Sequence, residues 1–264
     1  MTRVRYASTI VVLLSLLSVA PLSADERDRS FSEEQIPLIF PGMRMQGKPI
    51  ARYDPPAGAE KLELRGPKGE KIEALFCPVL SEDGRKDSSS RPTVIWFYGN
   101  AQCIATALGQ VEMLRRCGAN VLIADYIGYG LSEGTPSESG CYATALALHE
   151  HAMGRDDIDR NRIISAGWSL GAAVAIDLAS RKPVAGLITF SGYTSKRELA
   201  RRQFPDVSPE AIEHPFLSQD KIRHITCPTM IVHGKLDTLV PYFMAEELRK
   251  SAAGKPLIFL PVEQ

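Results

Sequence analysis

Apolar positions in this 264-residue chain gather into short unbroken runs separated by longer mixed stretches. The runs are Thr93–Tyr98, Val121–Ala124, Ile163–Ala166, Gly186–Phe190, Thr229–Val232 and Pro256–Leu260. Short runs without apolar–polar alternation suit strands covered on both faces, as in a parallel sheet. Between them, Gln102–Cys117, Pro136–Met153, Leu170–Ser180 and Pro241–Ser251 predict helices. The second carries a start signal, with Thr135 as N-cap, Pro136 at the first helical position and Glu138 as the third. Upstream, Lys61–Leu64 and Lys71–Phe76 flank Gly66-Pro67-Lys68-Gly69 and read as two short strands, followed by a polar loop over Ser81–Arg91. Alternation of this kind implies an α/β fold with one mostly parallel central sheet flanked by helices and joined by right-handed crossovers.

One interval breaks the rhythm. Nearly forty residues, about 38 in all, separate Phe190 from Thr229 where a single helix would suffice. Lys196–Gln203 reads as a short helix, and Ser208-Pro209-Glu210 opens another, so a small cap over about residues 193–224 is expected between strands 6 and 7. Lys196, Arg197, Arg201 and Arg202 admit two readings, an anion site or a solvated helix face, and the second is the expectation. Residues 25–60 are polar and Pro-rich and read as a lead-in to a domain spanning 61–264.

The first residues follow another logic. Arg3 and Arg5 precede the apolar run Thr9–Ala20, which small residues and a charged stretch from Asp25 follow. This is the layout of a signal peptide covering residues 1–24. Its apolar core of 12 residues is shorter than the roughly 20 a spanning helix needs. The expectation is an exported protein, periplasmic or secreted, without an integral membrane span after cleavage. An uncleaved signal anchor is the alternative.

Composition is that of an ordinary globular chain, with 44% hydrophobic and 23% charged residues. Lys+Arg and Asp+Glu are both 31, so no basic excess points to nucleic acid. The five cysteines, Cys77, Cys103, Cys117, Cys141 and Cys227, show no zinc spacing, and no metal is expected. Most read as small buried residues, with Cys103–Cys141 as the pair to test first for a disulfide.

The chemistry begins at Gly167-Trp168-Ser169-Leu170-Gly171, a Gly-x-Ser-x-Gly pattern between a predicted strand and a helix rich in small residues. A Ser on such a turn projects its Oγ away from the sheet as a nucleophile, and the glycines let strand and helix approach. The null alternative is a tight turn without catalysis. An acyl-transfer site also needs an oxyanion hole. Its donors are expected to be the N–H of Leu170 and that of Asn100, with Ala101 second, in the loop Tyr98-Gly99-Asn100-Ala101 after the third strand. Asp237, in His233-Gly234-Lys235-Leu236-Asp237 after a strand, is the expected acid; a loop-capping Asp is the alternative. Asp125 also ends a strand, but it precedes Ser169, whereas the chain order for this chemistry is Ser, acid, His.

Together these segments, with Asp125-Tyr126-Ile127-Gly128-Tyr129-Gly130 and Val240-Pro241, resemble the α/β-hydrolase superfamily. More narrowly, the chain resembles the small-cap branch of depalmitoylase-like serine hydrolases, which has many exported bacterial members. The resemblance covers roughly residues 60–264. It implies Ser169 as nucleophile, Asp237 as acid, and cofactor-free hydrolysis of carboxylic esters or thioesters carried by small molecules or acylated proteins. Two loop positions depart from the family. Tyr98 stands where it usually has His, and Ile127 where it usually has Arg, so loop geometry rather than the reaction is affected. A third departure concerns the base. In the family a His follows the last strand, and none of His149, His151, His214, His224 and His233 does so here. His233 reads as structural and His214, in the cap, as the one conceivable stand-in. The helix that normally follows the last strand is also missing from the sequence. The expectation is a truncated enzyme, inactive as written. A non-catalytic binding or scaffold protein, and an enzyme with an unusual base, are the alternatives.

Overall fold

The computed structural model describes residues 36–37, 39–80, 91–203, 212–252, 254 and 256–263. The expected signal peptide, the loop 81–90 and the helix start at Ser208-Pro209-Glu210 lie outside them. Among the described residues no helix is long and apolar enough to cross a membrane.

Eight strands form one sheet: β1 (Glu60–Arg65), β2 (Lys71–Cys77), β3 (Thr93–Phe97), β4 (Asn120–Ala124), β5 (Ile163–Trp168), β6 (Gly186–Phe190), β7 (Thr229–Gly234) and β8 (Leu257–Val262). They lie in the order β1-β2-β4-β3-β5-β6-β7-β8. The β1–β2 hairpin and the β2–β4 pair are antiparallel; every other pairing is parallel. β3 and β4 are buried at every position, as their unbroken apolar runs require. Towards β8 the pattern changes to half-buried alternating with exposed, leaving Ile258, Leu260 and Val262 open to solvent on one face.

Among the described residues, the α-helices that accompany the sheet include α1 (Ile104–Arg116), α2 (Glu138–Gly154), α3 (Leu170–Arg181), α4 (Lys196–Gln203), α5 (Ser218–Ile222) and α6 (Tyr242–Ser251). α2 packs on α3, α3 on α5 and α5 on α6, forming one layer; α1 packs separately on β4 and β2. α4 and α5 lie in the expected cap interval.

Three expectations are corrected. Helix α2 begins at Glu138 with Ser137 as N-cap, its Oγ accepting from the Gly140 N–H at 2.9 Å. Thr135 and Pro136 are instead drawn against the preceding turn, where Gly128 has a φ of +84° and a Cβ on it would fall 2.3 Å from the Pro136 nitrogen. The stretch read as a polar lead-in contributes Ile39 and Phe40, just before a short 3-10 turn at Pro41–Met45, and Ala51, which ends a second at Pro49–Ala51, to the buried interior. All five cysteines are free thiols, so Cys103 and Cys141 are not paired. Both are buried, and burial pushes the Cys141 thiol well above its ordinary range.

Candidate active site

Ser169 joins β5 to α3 with φ 54° and ψ −113°, a conformation L-residues rarely adopt. The turn is forced by its neighbours. A Cβ on Gly167 would lie 2.2 Å from the Gly171 carbonyl oxygen, and one on Gly171 would lie 1.9 Å from that of Phe97. Only hydrogen atoms fit at both positions. The Ser169 N–H donates to the Phe190 carbonyl at 2.9 Å, which pins the elbow to β6. Its side chain makes no capping hydrogen bond to the helix, so the hydroxyl is left available.

Leu170 is the first residue of α3, where backbone N–H groups have no partner within the helix and the helix dipole favours negative charge. The loop carrying Asn100 reaches the same place because β3 lies beside β5, with Phe97 opposite Gly167. A Cβ on Gly99 would stand 3.7 Å from the Trp168 carbonyl oxygen. Gln102 closes this loop on both sides: its Oε1 accepts from the Gly99 N–H at 3.0 Å, and its N–H donates to the Gly99 carbonyl at 3.1 Å.

Asn100 is held from three directions. Tyr129 Oη donates to its Oδ1 at 2.7 Å, its Nδ2 donates to the Ile39 carbonyl at 2.6 Å, and its own carbonyl accepts from the Gly42 N–H at 3.1 Å. The Ile39 carbonyl can only accept, which fixes the orientation of the amide. The Ile39–Gly42 contact is a component of the site that sequence reasoning missed. It lies about sixty residues away (61 between Ile39 and Asn100), in a stretch without periodicity.

Asp237 follows β7. Trp168 is paired with Phe190 and Phe190 with Val232, so the elbow and the His233–Asp237 loop leave the sheet at one level. They are two strands apart, about 10 Å. Asp237 Oδ1 accepts from the N–H groups of Leu239 (2.9 Å) and Val240 (2.8 Å), the loop-capping role. Its Oδ2 lies 3.7 Å from His233 Nε2, which hydrogen-bonds the Val240 carbonyl at 2.8 Å and so carries the ring proton. His233 is buried and structural.

Two further rings are committed elsewhere. His149 Nε2 bonds the Pro183 carbonyl at 3.1 Å, and His214 Nδ1 accepts from the Glu138 N–H at 3.4 Å with its ring 5.1 Å from that of Phe40. Burial lowers the pKa of His214. Among the described residues, no histidine ring is hydrogen-bonded to Ser169.

An alpha/beta hydrolase domain-containing protein of Arabidopsis thaliana, WAV2, is 31% identical to this chain over 213 residues, covering 74% of the chain and 67% of that protein. The chain belongs to the α/β-hydrolase family. Another relative, alpha/beta hydrolase domain-containing protein 17C of Mus musculus, is 34% identical over 159 residues, 58% of this chain and 48% of that protein. A Mycobacterium tuberculosis protein of uncharacterised role is 36% identical over 166 residues, and the α/β-hydrolase chain spans 59% of its length. No family model matches. Among solved structures, esterase Pf2001 of Pyrococcus furiosus shares the fold with a TM-score of 0.64 at 19% identity, covering 78% of this chain and 81% of that one. Est1E of Butyrivibrio proteoclasticus with ferulic acid bound does so with a TM-score of 0.61 at 22% identity, covering 76% and 89%.

Proposed function

We propose that this α/β-hydrolase is a serine hydrolase of the small-cap, depalmitoylase-like type, forming an acyl-enzyme on Ser169 from a carboxylic ester or thioester. The observation that carries the reading is the Ser169 backbone at φ 54°, wedged between two glycines that no larger residue could replace. Strain of this kind persists only where surrounding structure over-determines it, and it concentrates at functional sites. The Leu170 and Asn100 N–H groups would stabilise the tetrahedral oxyanion, and Asp237 would orient the base.

A His carried beyond β8 would reach this site. Val262 is paired with Gly234 and accepts from the Lys235 N–H at 2.7 Å, so whatever follows β8 leaves the sheet beside the Asp237 loop. Without such a His, residues 25–264 alone should turn over activated esters very slowly, because neutral Ser is a weak nucleophile. Small acyl esters and acylated proteins are the proposed substrates, and export is the proposed destination.

The test measures hydrolysis of p-nitrophenyl acetate and of a short acyl thioester, and labelling by a fluorophosphonate, in protein expressed from the complete reading frame. Ser169→Ala should abolish labelling and lower turnover by about 10³-fold or more with the fold intact. Turnover unchanged in Ser169→Ala overturns the nucleophile assignment. Absence of both activity and labelling in the wild type favours a binding or scaffold role, for which the lack of a described histidine against Ser169 is the supporting observation.

A further inference from the structure

Lys196 is the first residue of cap helix α4, but it is not part of that helix's solvated face. Arg201 and Arg202 are: both are exposed and bonded to Glu198. Lys196 as a whole is half-buried, while its ammonium is turned inward and donates to the Ile39 carbonyl at 2.7 Å. That oxygen also receives Asn100 Nδ2, so one carbonyl links the cap to the loop bearing the expected oxyanion donor. The ammonium lies 5.8 Å from the centre of the Phe40 ring, within range of a cation–π contact. The Lys196 N–H donates to the Pro215 carbonyl at 2.7 Å, anchoring the start of α4 to the far side of the cap. No carboxylate among the described residues lies within ion-pair distance of Lys196.

We infer that Lys196 is a positioning residue that couples the first cap helix to the oxyanion loop, its ammonium fixing the Ile39 carbonyl on which the Asn100 side chain also rests. The inference rests on the serine-hydrolase reading for its catalytic meaning. Its structural content stands by itself. With the ammonium in place, the carbonyl is held between two donors and Asn100 is oriented for its backbone N–H to face the elbow. With the amine neutral or absent, the link from cap to loop weakens, because a neutral donor makes the weaker hydrogen bond.

The groups facing the Lys196 ammonium from neighbouring elements are Cys141 on α2 and His214 in the cap. Burial raises the first and lowers the second, so both are neutral from pH 7 to 9.5 or so. Tyr129 and Tyr193 nearby are raised by burial as well. Burial lowers Lys196 itself to about 8, leaving it as the group that changes charge there in that range.

The test is hydrogen exchange of the Gly42 N–H, whose acceptor is the Asn100 carbonyl, followed by NMR on the full chain from about pH 6.5 to 9.5. The Gly128 N–H, bonded to the Glu133 carbonyl, serves as the internal reference for intrinsic base catalysis. In the wild type the protection of Gly42 relative to Gly128 should fall about tenfold as pH passes about 8. In Lys196→Met the ratio should already be about tenfold lower at neutral pH and show no step. A flat wild-type ratio overturns the inference, and this arm needs no variant to fold. A step that persists in Lys196→Met overturns it equally. Ester turnover is measured in parallel on protein expressed from the complete reading frame: absence of turnover there counts against the hydrolase reading, while the exchange profile still decides the role of Lys196.

Discussion

Tyr98 Oη donates to Asp125 Oδ1 at 3.0 Å, joining the ends of β3 and β4. The same carboxylate accepts from the N–H groups of Ile104 (2.7 Å) and Leu131 (2.8 Å), and the Tyr126 N–H returns to Tyr98 Oη at 3.2 Å. Tyr126 Oη closes the set on the Tyr98 carbonyl at 2.9 Å. Tyr98 therefore bridges the two loops through its hydroxyl. Asp125, set aside as the acid by chain order, is a structural anchor.

Removing that anchor should be costly. Asp125→Ala strands two buried N–H groups and the Tyr98 hydroxyl, each worth about 1–3 kcal/mol when left unpaired. We expect a loss of at least about 3 kcal/mol in urea unfolding. Tyr98→Phe should cost less, about 1–3 kcal/mol, since the carboxylate keeps its two backbone donors and only the Tyr126 N–H loses its acceptor. A change under about 0.5 kcal/mol for Asp125→Ala would refute the anchor role.

The same carboxylate sets a pH dependence. Burial is the largest influence on Asp125 and raises its pKa from 3.8 to about 6, against the lowering effect of its three donors. Between those values the folded chain holds this proton more tightly than the unfolded chain. This group's contribution to stability is therefore greatest below the window and declines as pH rises through it. Stability measured from about pH 4 to 6 should fall less, or rise more, in Asp125→Asn than in the wild type. Parallel curves would contradict the raised pKa.

The elbow predicts opposite outcomes for two adjacent changes. Ser169→Gly relieves the positive φ and should stabilise the fold by roughly 1 kcal/mol while removing the proposed nucleophile. Gly171→Ala drives a methyl group into the Phe97 carbonyl and should cost about 3 kcal/mol or prevent folding. Thermal unfolding of both variants checks the pair, and equal melting temperatures would contradict the strain argument.

Export is tested by mass. Protein expressed from its own start and recovered outside the cytoplasm should begin near Asp25, and an intact mass that retains residues 1–24 would contradict cleavage.

The sheet was legible because strands β3 to β8 are short apolar runs and β1 and β2 flank a Gly-Pro turn, and all eight lie within two residues of their expected bounds. The strained turn at Ser169 was legible because it needs two glycines at fixed spacing. The clamp on Asn100 was not. It is assembled from Ile39, Gly42, Tyr129 and Lys196, and hydrogen bonds between residues 61 or 157 positions apart leave no local pattern. Lys196 was grouped with Arg197, Arg201 and Arg202 because a run of charges predicts one solvated face. Helical geometry turns its first member inward. The start of α2 was misplaced for a related reason: Thr135-Pro136 satisfies the capping signal, but packing against Gly128 claims those residues first.

The two rims of the sheet carry different chemistry. On β1 the outward residues are Lys61, Glu63 and Arg65, while on β8 they are Ile258, Leu260 and Val262. Charged rims repel an incoming strand and apolar ones invite it. Among the described residues, an element laid over the β8 border would bury apolar surface, whereas one laid over the β1 border would have to strip water from charged groups.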